Sequence, residues 1–298
     1  MTLSTTLSNE ALLQELDKRP GLIPTNINST TRQVTWTDMG KYHFYEGFLD
    51  NSVDIFNNLQ KENAPIFTTD WNVLLDDSIV KEFIYPSGFI FHVGRCGSTL
   101  LVKALARSRQ NLVLSEPAPL NQILYGMADQ AEIPLAINET NKKIYRNLVL
   151  ALLRKRVDSH RQSFIKFTSY NVRFFDLIHS VFPDVPALFL SRNTDDVIAS
   201  FEKARASYMK DTPQKVHFFT GIENLDDIAG IVGSISQSAV KYPDTILKKV
   251  DYDLLKPENL TFILSYFNYC PNETDLVLMK KQFQYYSKVN FNKQKFEK

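Results

Sequence analysis

Two rhythms of apolar residues are interleaved along the chain. Short runs, Phe89-Ile90-Phe91, Leu112-Val113-Leu114, Phe164-Ile165 and Leu188-Phe189-Leu190, alternate with stretches in which apolar residues return every three or four positions, such as Leu100, Leu101, Ala104 and Leu105, or Ile144, Leu148 and Leu152. Runs of that length bounded by turn residues read as buried strands, and the longer spacing as helices. Their alternation predicts a three-layer α/β domain around a mainly parallel sheet, over residues 86–298. Residues 1–85 follow another pattern: a short helix from Glu10 to Leu16, a turn at Pro20-Gly21, an alternating segment from Arg32 to Trp36 and a helix over about 45–59. Their aromatic residues, among them Trp36, Tyr42, Phe44, Phe48, Phe56 and Trp71, are too many for a disordered tail, so an N-terminal cap is expected.

The first strong run stops at Gly94-Arg95-Cys96-Gly97, and Ser98 and Thr99 then open a helical pattern. A strand, a glycine turn and a helix start aim backbone N–H groups, a helix N-terminus and two hydroxyls at one point, which suits an anion. Arg95 adds a forked cation there. The Walker A order GxxxxGK[ST] is not met, because Gly97 stands where its lysine would be, and GxGxxG is absent. Helix capping alone also accounts for a Gly-Ser-Thr helix start.

Further along, Asn111 to Ser115 read as a strand followed at once by Glu116, with Pro117 and Pro119 ending it. In an open parallel sheet the C-terminal strand ends share one edge, so Glu116 is expected on the same edge as Arg95, as a general base or as a structural carboxylate. Lys166 lies in the next apolar strand; buried, it requires an anionic partner, and the other reading is an exposed strand end. A long helix over 141–161 ends in Arg154-Lys155-Arg156, read as a solvated helix end.

Composition narrows the choice. A formal net charge of +1 implies no general attraction to nucleic acid. Two cysteines, Cys96 and Cys270, are too few for a disulfide framework and suit a reducing compartment. No secretory signal pattern and no run of 18 apolar residues is present, so the expectation is a cytoplasmic protein without a membrane span. His92 reads as a packed or hydrogen-bonded strand residue; His43, His160, His179 and His217 lack metal-ligand spacing, and no metal is expected.

HVGRCGSTLL resembles the phosphosulfate-binding loop of sulfotransferases that use 3′-phosphoadenosine 5′-phosphosulfate (PAPS), in the R-x-G-[ST]-[ST]-L form of the carbohydrate and tyrosylprotein enzymes. A second stretch, Arg192-Asn193-Thr194-Asp195-Asp196 through Ser200, resembles the family's R-[ND]-x-x-D-x-x-x-S signature. The resemblance implies a P-loop-type fold. It implies a phosphosulfate site at Arg95, Cys96, Gly97, Ser98 and Thr99 and a 3′-phosphate site at Arg192 and Ser200. Glu116, in an E-P context, would be the base, and Lys166 would match the lysine of the cytosolic enzymes' K-x-H strand. Thr168 replaces that motif's histidine. Tyr252 and Asp253 match a late Y-[DE]-x-L turn, whereas the C-terminal R-K-G loop is missing. The implied activity is sulfuryl transfer from PAPS to a hydroxyl of a small molecule, glycan or peptide. A P-loop kinase-like phosphotransferase and a non-catalytic module binding PAPS or its product PAP are the alternatives. Lys203, Arg205 and Tyr208 lie in a basic stretch beside the expected nucleotide site without a motif to assign them.

Overall fold

A computed structural model describes residues 5–59, 65–128, 135–203, 213–224 and 226–285. The N-terminal part contains β1 (Thr5–Thr6), α1 (Asn9–Lys18), β2 (Leu22–Asn28), β3 (Gln33–Asp38), α2 (Leu49–Leu59) and β4 (Ile66–Asp70). Its four strands form a small sheet in the order β1-β4-β3-β2, in which β2–β3 and β3–β4 are antiparallel. The expected helix near 45–59 begins at Leu49, and β2 and β4 were not anticipated. Pro24 and an extra residue, Thr25, interrupt the β2 ladder, which masks the two-residue alternation by which a strand is read.

The larger part contains β5 (Gly88–His92), α3 (Ser98–Leu105), β6 (Asn111–Ser115), α4 (Ala118–Met127), α5 (Glu139–Leu152) and β7 (Gln162–Lys166), then α6 (Phe175–Val181), β8 (Ala187–Ser191) and α7 (Thr194–Lys203). It ends with α8 (Pro213–Thr220), α9 (Ile228–Val240), β9 (Lys248–Asp251), α10 (Leu260–Tyr266) and α11 (Glu273–Lys281). Five parallel strands run in the order β6-β7-β5-β8-β9. This is the expected parallel α/β class. Phe89 and Phe91 point to one face, against Phe167, Phe175 and Phe182. Gly88 faces the other side, where an added Cβ would strike Phe267. Helical layers therefore cover both faces, and β5, buried throughout, is central.

Because the chain leaves β5 toward β7 and β6 and later returns to β8 on the opposite side, the strand order reverses between β5 and β8. In open parallel sheets the crevice at that reversal, beyond the strands' C-terminal ends, is where ligands bind.

The two parts are tied by side chains that the sequence reading put in solvent. Helix α5 ends at Leu152 rather than near residue 161, and Arg154 and Arg156 are each only 4% exposed. Arg154 donates to the carbonyls of Leu16 (2.7 Å) and Leu22 (3.2 Å), and Arg156 to that of Tyr42 (2.8 Å) while lying 4.1 Å over the Phe44 ring. The charge run is thus a clamp on the N-terminal part, not a solvated helix end. Gln122 of α4 makes a further tie: it accepts from the Ile27 N–H at 2.7 Å and donates to Asn26 Oδ1 at 2.7 Å, just past the β2 irregularity. No helix among the described residues is long and apolar enough to cross a membrane.

Candidate active site

The loop after β5 is held in left-handed backbone geometry at Gly94 (φ 84°), Arg95 (φ 53°) and Gly97 (φ 78°). A Cβ at Gly94 would meet Phe201 at 2.9 Å, and one at Gly97 would meet Leu255 at 2.7 Å. Both glycines are therefore required twice over, by φ and by space. The turn delivers Ser98 and Thr99 at the N-terminus of α3, and Cys96 is fully buried beneath it as a packing residue.

Arg95 reaches across the strand reversal. Its Nε donates to Ser200 Oγ and its Nη2 to the Ser200 carbonyl, both at 2.9 Å. Arg192, following β8, donates from Nη1 to the Arg95 carbonyl at 3.2 Å and from Nη2 to Asp196 at 3.3 Å, and lies 4.7 Å over the Tyr252 ring. Its Nε is buried without a partner among the described residues. Asn193 caps α7 by accepting from the N–H groups of Asp195 and Asp196. The two sequence motifs thus meet on one rim, with spare guanidinium donors, as an anion site requires.

On the other side of the loop, Lys166 is 1% exposed and takes two partners: Glu116 Oε1 at 2.5 Å and Thr99 Oγ1 at 3.2 Å. The alternative reading of Lys166 as an exposed strand end is excluded. Glu116 follows β6 with φ 48°, a strained conformation for a non-glycine residue, and its N–H donates to the Lys166 carbonyl at 2.7 Å. That backbone geometry turns the carboxylate over the end of β7 toward Lys166. Thr168, where the K-x-H histidine would stand, caps the following turn through Asn171 and accepts from Asn121 Nδ2 at 2.9 Å.

His92, read from the sequence as a packed or hydrogen-bonded strand residue, is hydrogen-bonded, and it also neighbours Glu116. Its Nδ1 accepts from the Gly94 N–H at 2.9 Å, which leaves the proton on Nε2, 3.5 Å from Glu116 Oε1. The same ring therefore holds the loop and faces the carboxylate. Alternation along β5 puts it on the Gly88 and Ile90 face, but nothing in that pattern indicates Glu116.

Burial alone would raise the Glu116 pKa, but Lys166 and His92 outweigh it and hold the carboxyl at about 2. Burial and the Lys166 charge lower the His92 pKa, against the opposing pull of Glu116. Because the folded Glu116 pKa lies below its reference of 4.5, the pair's stabilisation is complete above about pH 4.5 and is lost as pH falls toward 2. Denaturant titrations between those limits should show wild type losing stability toward pH 2 that the Glu116→Gln/Lys166→Met double variant keeps. Parallel pH dependence in the two proteins would exclude the linkage.

A cavity of about 610 Å³ opens on the far side of Glu116. Its walls combine the end of β2 and the turn after it (Asn26 to Thr30), Phe48 and Asp50, Asn121 and Tyr125 of α4, and Lys215 and Phe219 of α8. The Ser115 hydroxyl donates to the Gly47 carbonyl at 2.5 Å, and Gly47 approaches Thr99 so closely that an added Cβ would lie 3.0 Å from its methyl group. This tie sets Phe48 beside the ion pair, its ring 5.4 Å from Lys166 Nζ. Tyr252 and Asp253 lie in the turn after β9, Tyr252 against Arg192; Lys203 ends α7, and Arg205 and Tyr208 fall outside the described residues.

The fold and site define an α/β protein with a glycine turn, two arginines and a buried Glu116–Lys166 pair at the reversal of its parallel sheet. No family profile and no curated protein sequence matches the chain. Solved structures similar to it include the sulfotransferase domain from the curacin biosynthetic pathway, at 17% identity and TM-score 0.43, covering 68% of this chain and 80% of that one. A sulfotransferase from Alicyclobacillus acidocaldarius matches at 10% identity and TM-score 0.41, over 62% of this chain and 82% of that one. A third, from Mycobacterium tuberculosis H37Rv, matches at 11% and 0.38, over 77% and 79%. At these values the functional reading rests on the side chains described above.

Proposed function

We propose that this chain transfers a sulfuryl group from PAPS to a hydroxyl-bearing acceptor. One observation carries the reading: Glu116 stands between an anion loop and a cavity, joined to the loop through Lys166 and Thr99 and exposed to the cavity on its other side. A base so placed can receive a proton from an acceptor hydroxyl while the loop holds the group to be transferred.

In this reading the loop N–H groups, Ser98 and Thr99 hold the phosphosulfate, and Arg192 with Ser200 holds the 3′-phosphate. The unpartnered Arg192 Nε suits a phosphate oxygen. The acceptor oxygen forms a bond to sulfur as the bond from sulfur to the bridging phosphate oxygen breaks. The hydroxyl proton passes to Glu116, and PAP leaves. Arg95 and Lys166 offset the charge that builds on the transferring group and the bridging oxygen. With Lys166 fully engaged, Glu116 is a weak base. An anionic sulfuryl group beside Thr99 competes for the same ammonium, and Glu116 regains basicity as Lys166 is shared.

Thermal unfolding against PAP and against ATP with Mg²⁺ tests the donor. PAP at 100 times its Kd should stabilise by about 2.7 kcal/mol, and ATP with Mg²⁺ should not. Stabilisation by ATP alone would replace this reading with a phosphotransferase. Labelled PAPS supplied with a metabolite extract should yield a labelled product; PAP binding without transfer to any acceptor would leave a binding module.

A further inference from the structure

Among the described residues, the cavity wall carries one acidic residue besides Glu116, and it has no partner. Asp50, in the first turn of α2, lines the wall next to Phe48 and has no hydrogen-bond or ion-pair partner among the described residues. A helix N-terminus favours an acidic residue there, but that does not account for its place on a cavity wall. Asn121, on the same cavity, uses its Nδ2 on Thr168 while its Oδ1 is buried and accepts nothing among the described residues. Phe48 and Tyr125 add ring surface. The wall thus presents an unpaired carboxylate beside aromatic faces, which together suit a positively charged group.

We propose that the acceptor carries, besides the hydroxyl that faces Glu116, a cationic amine bound by Asp50. The proposal rests on the sulfuryl-transfer reading for the hydroxyl, whereas the amine site rests on the cavity itself. Although Asp50 is exposed at the mouth, the surrounding wall first, then the like charges of Asp54 and Glu116, push its carboxyl up to about 6. It is therefore charged at neutral pH and gains from a cation. Lys215 is the opposing charge on the cavity, 5.8 Å from the Tyr125 ring. If it set the selectivity, acceptors bearing a carboxylate would be favoured instead.

The test uses matched phenols on the full chain loaded with PAP: tyramine, N-acetyltyramine and para-hydroxyphenylacetate, with ethanolamine and N-acetylethanolamine as an aliphatic pair. Titration calorimetry reads binding, and labelled PAPS reads transfer. At least one amine should bind roughly 10- to 100-fold more tightly than its N-acetyl partner, as a charge-assisted contact implies. Asp50→Asn should bring the two partners together while PAP affinity is retained, a separation that a purely structural role for Asp50 would not produce. Equal binding of amine and amide by wild type, preference for the carboxylate, persistence of the amine preference in Asp50→Asn, or no binding of any probe by the PAP-loaded protein would overturn the proposal. Amine selectivity in binding without transfer would uphold the amine site and count against the enzyme reading. Failure to bind PAP would count against the donor assignment.

Discussion

Glu116→Gln is expected to lower sulfuryl transfer by roughly two to four orders of magnitude while PAP still binds. Glutamine keeps the shape of the side chain but cannot take the acceptor's proton. It also leaves the Lys166 ammonium, 1% exposed, without its counter-charge, at a cost on the order of 3 kcal/mol. Lost activity could then reflect lost fold. The Glu116→Gln/Lys166→Met double variant separates the two, because replacing both charges of a buried pair with side chains of similar volume is often neutral or stabilising. It should be folded, bind PAP and be inactive. A Glu116→Gln protein with near wild-type turnover would remove Glu116 as the base, and a single variant as stable as wild type would remove the ion pair as a structural element.

Arg192→Ala should weaken PAP binding roughly 10- to 100-fold, the usual range for charge-assisted hydrogen bonds to a phosphate. Turnover at saturating PAPS should fall far less, since Arg192 touches Arg95 only through a carbonyl and lies away from Glu116 and Lys166 in the network of contacts. Calorimetry with PAP and the split between KM for PAPS and kcat measure this. Unchanged PAP affinity would show that the stretch from Arg192 to Ser200 is a strand, a cap and a helix with no role at the nucleotide.

What could be read from the chain was whatever its local order encodes. The β5 run, the two glycines and the apolar spacing of α3 lie within eighteen consecutive residues, and β8 with α7 repeats that plan, so the strand ends and the rim they share were legible. The carboxylate after β6 was legible too, because a strand stopped by Pro117 must leave Glu116 at its end. Its bond to Lys166 was foreseen only as a need for some anion. Contacts made across the fold were not legible. Arg154 and Arg156 looked like an ordinary basic helix end, since their carbonyl partners lie more than a hundred residues earlier. Phe48 and Asp50 carried no motif. They reach the cavity because Ser115 holds Gly47, a contact that no periodicity announces.

The guanidinium clamp beyond α5 bears on how this protein can be dissected. Cutting the chain at residue 86, where the apolar rhythm changes, would strip Arg154 and Arg156 of every carbonyl they bind and remove the Asn26–Thr30, Phe48 and Asp50 walls of the cavity. The larger part is therefore no transplantable module: exchanging the first 85 residues for those of another protein would replace one side of the cavity and the clamp's partners in a single stroke.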